Sequence, residues 1–376
     1  MMRQPSLGRF ELVLSKTVET NSYVSAIDCS DSTPQVCVVT PSGLHVLDSH
    51  SLVPKENFKS ESKLGRITDV KFIDESTVMF CSSDGYLRLW DQREAGKISL
   101  EMASTAEPDT ELKPLLSCDL NLEGNVACAG SEAQKEDAFV LFWDIRDTRT
   151  LLGGYWDSHS KDISQVKFHP SINSFLLTGG MDGLVNVFDI EEDCEDNALL
   201  YTLNAECAVN HVSWLNRTVS DVDRVAVVTT EEEFQLWLAE DAEPNLRKSR
   251  EQLAQGISGD KAIVDHLVKA VTFDDGTSVV VGSSNEGKIE LWSEAGVYIA
   301  SMAGDHRDLV RAVAASRDRT GQKKALWSAG EDGILCYWEE KPLQPMCDPP
   351  TTSSDHLKAR SSMKTKSKPY TKPYQR

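Results

Sequence analysis

A chain of 376 residues with 40% apolar and 26% charged residues has the length and composition of a globular protein with a substantial core, which excludes fibrous and unfolded classes. Its formal charge is −20, and because the residues from Thr351 onward hold seven bases against one acid, the remainder stands at −26. A body so acidic repels phosphate backbones and anionic lipid surfaces and attracts basic proteins. In chain order, the apolar residues alternate or fall in short clusters broken by Gly, Asp and Ser, which predicts strands throughout. After Phe10 to Leu14 (FELVL), a unit of three strands and a weaker fourth recurs. In the second unit these are Ile67 to Phe72, Thr77 to Cys81 and Tyr86 to Trp90, with the turn Asp84-Gly85 between the last two. The same turn returns as Asp182-Gly183 and Asp332-Gly333, with Ser42-Gly43 and Glu286-Gly287 as variants, and Asp-Gly suits the positive φ of a hairpin. Aligning the third strands on Leu47, Trp90, Trp143, Phe188, Trp237, Trp292 and Trp338 gives seven units. Between Glu240 and Leu267 the repeat is stretched. SREQLAQGI (Ser249 to Ile257) has a helical flavour without a decisive cap, so an outer strand and a long loop are expected there.

The segments SSDGYLRLWDQR, MDGLVNVFDI and EDGILCYWEE resemble the WD40 repeat family. The resemblance covers about residues 10 to 340 and implies an all-β, seven-bladed propeller. An open row of blades would expose apolar faces and sheet edges, so the array must close into a ring, and closure needs a strand from the opposite terminus. Phe10 to Leu14 is similar to the strand that completes the last blade in this family. The domain plan is an N-terminal extension over 1–9, a propeller over 10–340, and a disordered basic tail over 341–376 that is rich in Ser, Thr, Lys and Pro.

The resemblance also implies a buried polar tetrad, which blade seven matches in full as His306, Ser328, Asp332 and Trp338. Blade four keeps His159, Thr178 and Asp182 but has Phe188 in place of the tryptophan. Blade two has Asp84 and Trp90, with Phe80 at the hydroxyl position and no matching histidine. Together His, Ser and Asp suggest a catalytic triad, but hydrogen bonding within the blades accounts for them completely. No GxSxG, HExxH, Walker A or dinucleotide fingerprint occurs, so neither catalysis nor a cofactor is expected.

Two features point to partners. Trp90-Asp91-Gln92-Arg93 and Trp143-Asp144-Ile145-Arg146 both read WDxR, which resembles the box by which substrate receptors dock on the DDB-type adaptor of cullin-4 ubiquitin ligases. Asp91, Arg93, Asp144 and Arg146 are therefore candidate partner-binding residues, with the plainer reading that each arginine pairs with its neighbouring aspartate. On the opposite rim, where the second-to-third-strand turns emerge, Glu132 to Asp137, Glu231, Glu232, Glu233 and Glu286 form a candidate acidic surface for a basic client such as a ribosomal protein or a histone. A further cluster, Glu191, Glu192, Asp193, Glu195 and Asp196, leaves blade four on the Arg93 side.

Nine cysteines, an odd number with no CxxC pair, argue against a disulfide framework and against a metal site. The start MMRQPSLGRF lacks the apolar core of a signal peptide, and no apolar run approaches membrane-spanning length. These features predict a soluble intracellular protein, nuclear and/or cytoplasmic. Its expected role is a non-catalytic scaffold, monomeric within complexes, whose propeller binds proteins rather than nucleic acid.

Overall fold

The computed structural model describes residues 8–30, 32–59, 64–94, 97–106, 110–135, 137–146, 151–215, 222–257, 263–318 and 320–341. The predicted basic tail lies outside the described residues apart from Lys341, as does most of the extension over 1–9. Among the described residues, seven four-stranded antiparallel sheets account for every strand. From the inside outward, blade one runs Ala26–Cys29, Gln35–Thr40, Gly43–Asp48 and Pro54–Lys59. Blade two runs Ile67–Phe72, Thr77–Ser82, Tyr86–Asp91 and Ile98–Ala103. Blade three ends in an outer strand of three residues, Gly153–Tyr155, after Leu115–Leu120, Val126–Ser131 and Val140–Asp144. Blades four, five and six have inner strands Ile163–Phe168, Val209–Leu215 and His266–Thr272. Blade seven is made of Val310–Arg317, Lys324–Gly330, Ile334–Lys341 and, as its outer strand, Arg9–Thr17.

The ring is closed. Each inner strand packs beside the next, and that of blade seven packs beside that of blade one. Arg9–Thr17 runs antiparallel to Ile334–Lys341, with Arg9 opposite Lys341, Leu12 opposite Trp338 and Thr17 opposite Ile334, and one bulge between Leu12 and Leu14. The hairpin glycine Gly333 has φ +66, and a Cβ there would lie 2.1 Å from the Glu19 carbonyl oxygen. Only glycine fits so close to the closing segment.

The core is divided between the blades. Seven apolar clusters fill the seven interfaces between neighbours. Period-two alternation produces this arrangement: Val36 and Val38 face blade seven, whereas Cys37 and Val39 on the same strand face blade two. A second strand such as QVCVVT is therefore buried on both faces and reads as an unbroken apolar run.

The expected loop after blade five is corrected. Arg250–Ala254 is a short helix, and Ser249 caps it in a capping box with Gln252. Leu253 is buried against blade six, and its carbonyl accepts the indole N–H of Trp292 at 3.0 Å. Tertiary packing thus supplies what this local sequence lacks for independent helicity.

Candidate functional site

Consecutive antiparallel strands place the first-to-second and third-to-fourth connections on one rim, and the second-to-third turns on the other. Both WDxR boxes lie on the first rim, with Trp-Asp ending the third strand and the arginine two residues beyond it. Arg93 donates from Nε to Asp91 Oδ1 at 2.9 Å and from Nη2 to Oδ2 at 2.6 Å, while the Arg93 backbone N–H donates to Oδ1 at 2.9 Å. Arg146 repeats the geometry on Asp144 with bonds of 2.9, 2.8 and 2.9 Å. The guanidinium hydrogen bonds hold the Asp91 carboxyl down at about 2. Both arginine side chains stay largely exposed, at 75% and 67%. The local pairing weighed from the sequence is present, and the remaining guanidinium donors stay open to solvent.

On the opposite rim the glutamate triplet divides. Glu231 is exposed. Glu232 sits at φ +62, the left-handed position that other blades fill with glycine, and its carboxylate accepts from His266 Nδ1 at 2.8 Å and from the Leu267 backbone N–H. Glu233 accepts from Gln235 Nε2 at 2.7 Å and pairs with Arg247 at 3.3 Å. Two of the three acids expected on a client-binding surface are engaged inside the fold.

In blade seven, Trp338 Nε1 donates to Ser328 Oγ at 2.8 Å, Ser328 lies 2.9 Å from His306 Nε2, and His306 Nδ1 lies 3.2 Å from Asp332. One tautomer satisfies the chain: the hydroxyl donates to Nε2, and Nδ1–H donates to the carboxylate. Burial works to raise the Asp332 carboxyl, but hydrogen bonds from His306 and from the Arg307 and Ile334 N–H groups outweigh it and hold it below the usual range. In blade four, His159 joins Asp182 at 3.2 Å and Thr178 at 2.8 Å, and Asn186 donates to the Ser158 carbonyl at 2.9 Å beside them. Blade two replaces the histidine with Arg88, which is buried and bonds to Asp84, Ser82 and Glu101. Among the described residues Trp90 Nε1 has no hydrogen-bond partner, in keeping with Phe80 at the hydroxyl position.

Sequence reasoning missed the central channel. Asp28 accepts from the Phe72 N–H at 2.7 Å, Asp69 from Cys118 at 3.2 Å, and Asp119 from Phe168 at 2.8 Å, so three successive inner strands are stapled to the next. Lys71 pairs with Asp119 at 2.8 Å. Burial raises the Asp28 carboxyl to about 6, lowers Lys269 to about 8 with help from Lys167, and lowers His211 to about 3. The available signal was polar residues inside inner strands, as in ITDVKF and ISQVKF. At one mouth of the channel a cavity of about 610 Å³ is lined by residues including Tyr23, His211, His266, Arg311 and Glu331. Two of its charged side chains are already paired, Arg311 with Glu331 at 2.6 Å and His266 with Glu232, while Asp308 accepts the Leu309 backbone N–H at 2.8 Å.

Among the described residues no cluster of three or more His, Cys, Asp or Glu side chains is arranged to hold a metal ion, and eight cysteines are free thiols. No described helix is long and apolar enough to cross a membrane.

Residues 55–91 and 150–189 match the family model described as WD domain, G-beta repeat. WD repeat-containing protein GTS1 of Arabidopsis thaliana is 27% identical over 271 residues, covering 69% of this chain and 65% of the relative. An uncharacterized WD repeat-containing protein of Schizosaccharomyces pombe is 30% identical over 188 residues, 48% of this chain and 54% of the relative. The WD repeat-containing protein 89 homolog of Dictyostelium discoideum is 26% identical over 223 residues, 55% of this chain and 58% of the relative. The matched stretch therefore spans between about half and two thirds of the length of these relatives.

Proposed function

The chain carries WD40 repeats on a closed seven-bladed propeller, and from that premise we propose a non-catalytic scaffold for protein complexes whose two WDxR boxes seat the DDB-type adaptor of a cullin-4 ubiquitin ligase. The observation that carries this reading is the repeated clamp of an exposed arginine on its own aspartate in successive blades. The clamp fixes the direction of each guanidinium before a partner arrives, which lowers the ordering cost of binding and leaves donors for a partner's carboxylates or carbonyls. On this reading the protein acts as a monomer within nuclear and/or cytoplasmic complexes, without direct nucleic-acid binding by the propeller. The test is affinity purification from cells with mass spectrometry, run on the wild type and on Arg93→Ala/Arg146→Ala. Loss of the adaptor from the variant alone supports the reading; an adaptor recovered equally from both, or from neither, ends it.

The net charge of −20 favours a second reading, an assembly factor that shields a basic client such as a ribosomal protein or a histone. Client binding would then weaken steeply with salt, and Glu231→Gln would weaken it more than a neutral substitution elsewhere on the ring.

A further inference from the structure

Eight tryptophans occur in the chain, and seven of them are at most 7% exposed. Trp156 is 53% exposed, and Leu152, four residues before it, is 58% exposed. The two flank the outer strand of blade three, where no described residue lies within 4 Å of the position a Cβ on Gly153 would take. They border a cavity of about 610 Å³ on the WDxR rim, between that strand and the third-to-fourth-strand connection of blade four. Two aromatic rings line it, Tyr155 meeting Phe142 edge-on with ring centroids 5.0 Å apart, and the buried Phe188 supports Tyr155 from behind at 5.0 Å. Large apolar side chains left in water beside a ready-made concavity are a common mark of an interaction site.

The opposite wall carries charge. Glu195 is occupied, accepting the N–H groups of Trp156 and Asp157 and the Ser158 hydroxyl, and so fixes the backbone that displays Trp156. Glu192, Asp193 and Asp196 also line the cavity and have no cationic partner among the described residues. Among these residues Asp193 accepts only the neutral Asn197 amide at 3.0 Å, and apolar and π surfaces beside carboxylates that lack a described cation are complementary to a large apolar side chain flanked by cations.

We propose that the groove between blades three and four binds a segment of a partner protein in which a large apolar residue is flanked by lysines or arginines. Trp156 and Phe142 receive the apolar side chain, and Glu192, Asp193 and Asp196 receive the cations. No residue of either WDxR box lines the groove.

The probe is a synthetic peptide alternating lysine with leucine and phenylalanine, titrated into the full-length protein. Controls are a peptide with glutamate in place of lysine and one with serine in place of the apolar residues. Because Trp156 is the exposed tryptophan, binding here must shift its emission to shorter wavelength and shield it from acrylamide. By anisotropy of the labelled peptide, affinity should fall about ten-fold in Trp156→Ala and in Glu192→Lys/Asp196→Lys. It should hold within about two-fold in the remote charge control Glu11→Lys/Glu56→Lys. Equal binding of the lysine–serine peptide, or binding that leaves Trp156 fully quenchable, would show adhesion to overall negative charge and overturn the proposal. No binding of the lysine–leucine peptide overturns it as well.

Discussion

The indole N–H of Trp338 donates to the Ser328 hydroxyl at 2.8 Å, whereas the corresponding N–H of Trp90, whose blade has Phe80 at the hydroxyl position, has no hydrogen-bond partner among the described residues. The same residue type in equivalent positions therefore contributes differently to its blade. Ser328→Ala should cost about 1–3 kcal/mol, since it strands both the Trp338 N–H and the His306 acceptor in the core. Trp338→Phe should destabilise more than Trp90→Phe, because the second change removes an N–H that was already unsatisfied. Urea unfolding followed by fluorescence compares the pair, and equal losses would show that the tetrad adds nothing beyond packing.

Ring closure depends on Arg9–Thr17. Phe10 is 3% exposed and stacks on Phe273 of blade six at 5.9 Å, so this strand joins two blades as well as completing one. Phe10→Ala should cost about 3–5 kcal/mol. Deleting residues 1–17 should raise amide exchange in Ile334–Lys341 and across both flanking interfaces together. Fraying confined to the neighbourhood of the deletion would contradict a closed ring.

Lys269 gives a pH signature. Its ammonium is half-buried in the channel and held at about 8 against an ordinary 10.5, first by burial and then by Lys167. Between those values the unfolded chain holds a proton that the folded chain has released, so stability from this group rises with pH across the window and the full penalty applies below it. Lys269→Met should stabilise the protein by on the order of 1–3 kcal/mol at pH 7. The advantage should fade as pH rises from about 8 toward 10.5. An advantage independent of pH would point to packing instead of charge.

Glu232 and Glu231 are adjacent, yet their substitutions should diverge. Glu232→Ala loses the contacts to His266 and the Leu267 N–H while keeping a left-handed backbone, and should cost about 1–3 kcal/mol. Glu231→Ala on the exposed side should stay within about 0.5 kcal/mol. Thermal unfolding of the two variants distinguishes a structural Glu232 from one held in reserve for a ligand.

These contrasts trace how far the sequence could be read. The hairpin glycines and the third-strand aromatics recur at near-constant spacing, so the blade count, the turns and the tetrad positions were visible without coordinates. The closing strand was visible too, although it extends three residues beyond Leu14. Glu232 was misleading because an acid in a turn reads as solvated until its partner in the next blade is seen. Asp28, Asp69, Asp119 and Lys269 were missed because channel-facing polar residues look like ordinary strand alternation; only ring closure turns them inward. The groove at Trp156 depends on juxtaposing blade three's short outer strand with a connection some forty residues later in the chain, a relationship that no local pattern encodes.

The most direct measurement is a calorimetric titration of the purified cullin-4 adaptor into the full-length protein and into Arg93→Ala/Arg146→Ala, with circular dichroism to verify that both are folded. Saturable binding to the wild type and a loss of about a hundred-fold or more in the folded double variant are expected. Equal affinities, or no heat with either protein, would contradict the assignment of the WDxR rim as the docking surface.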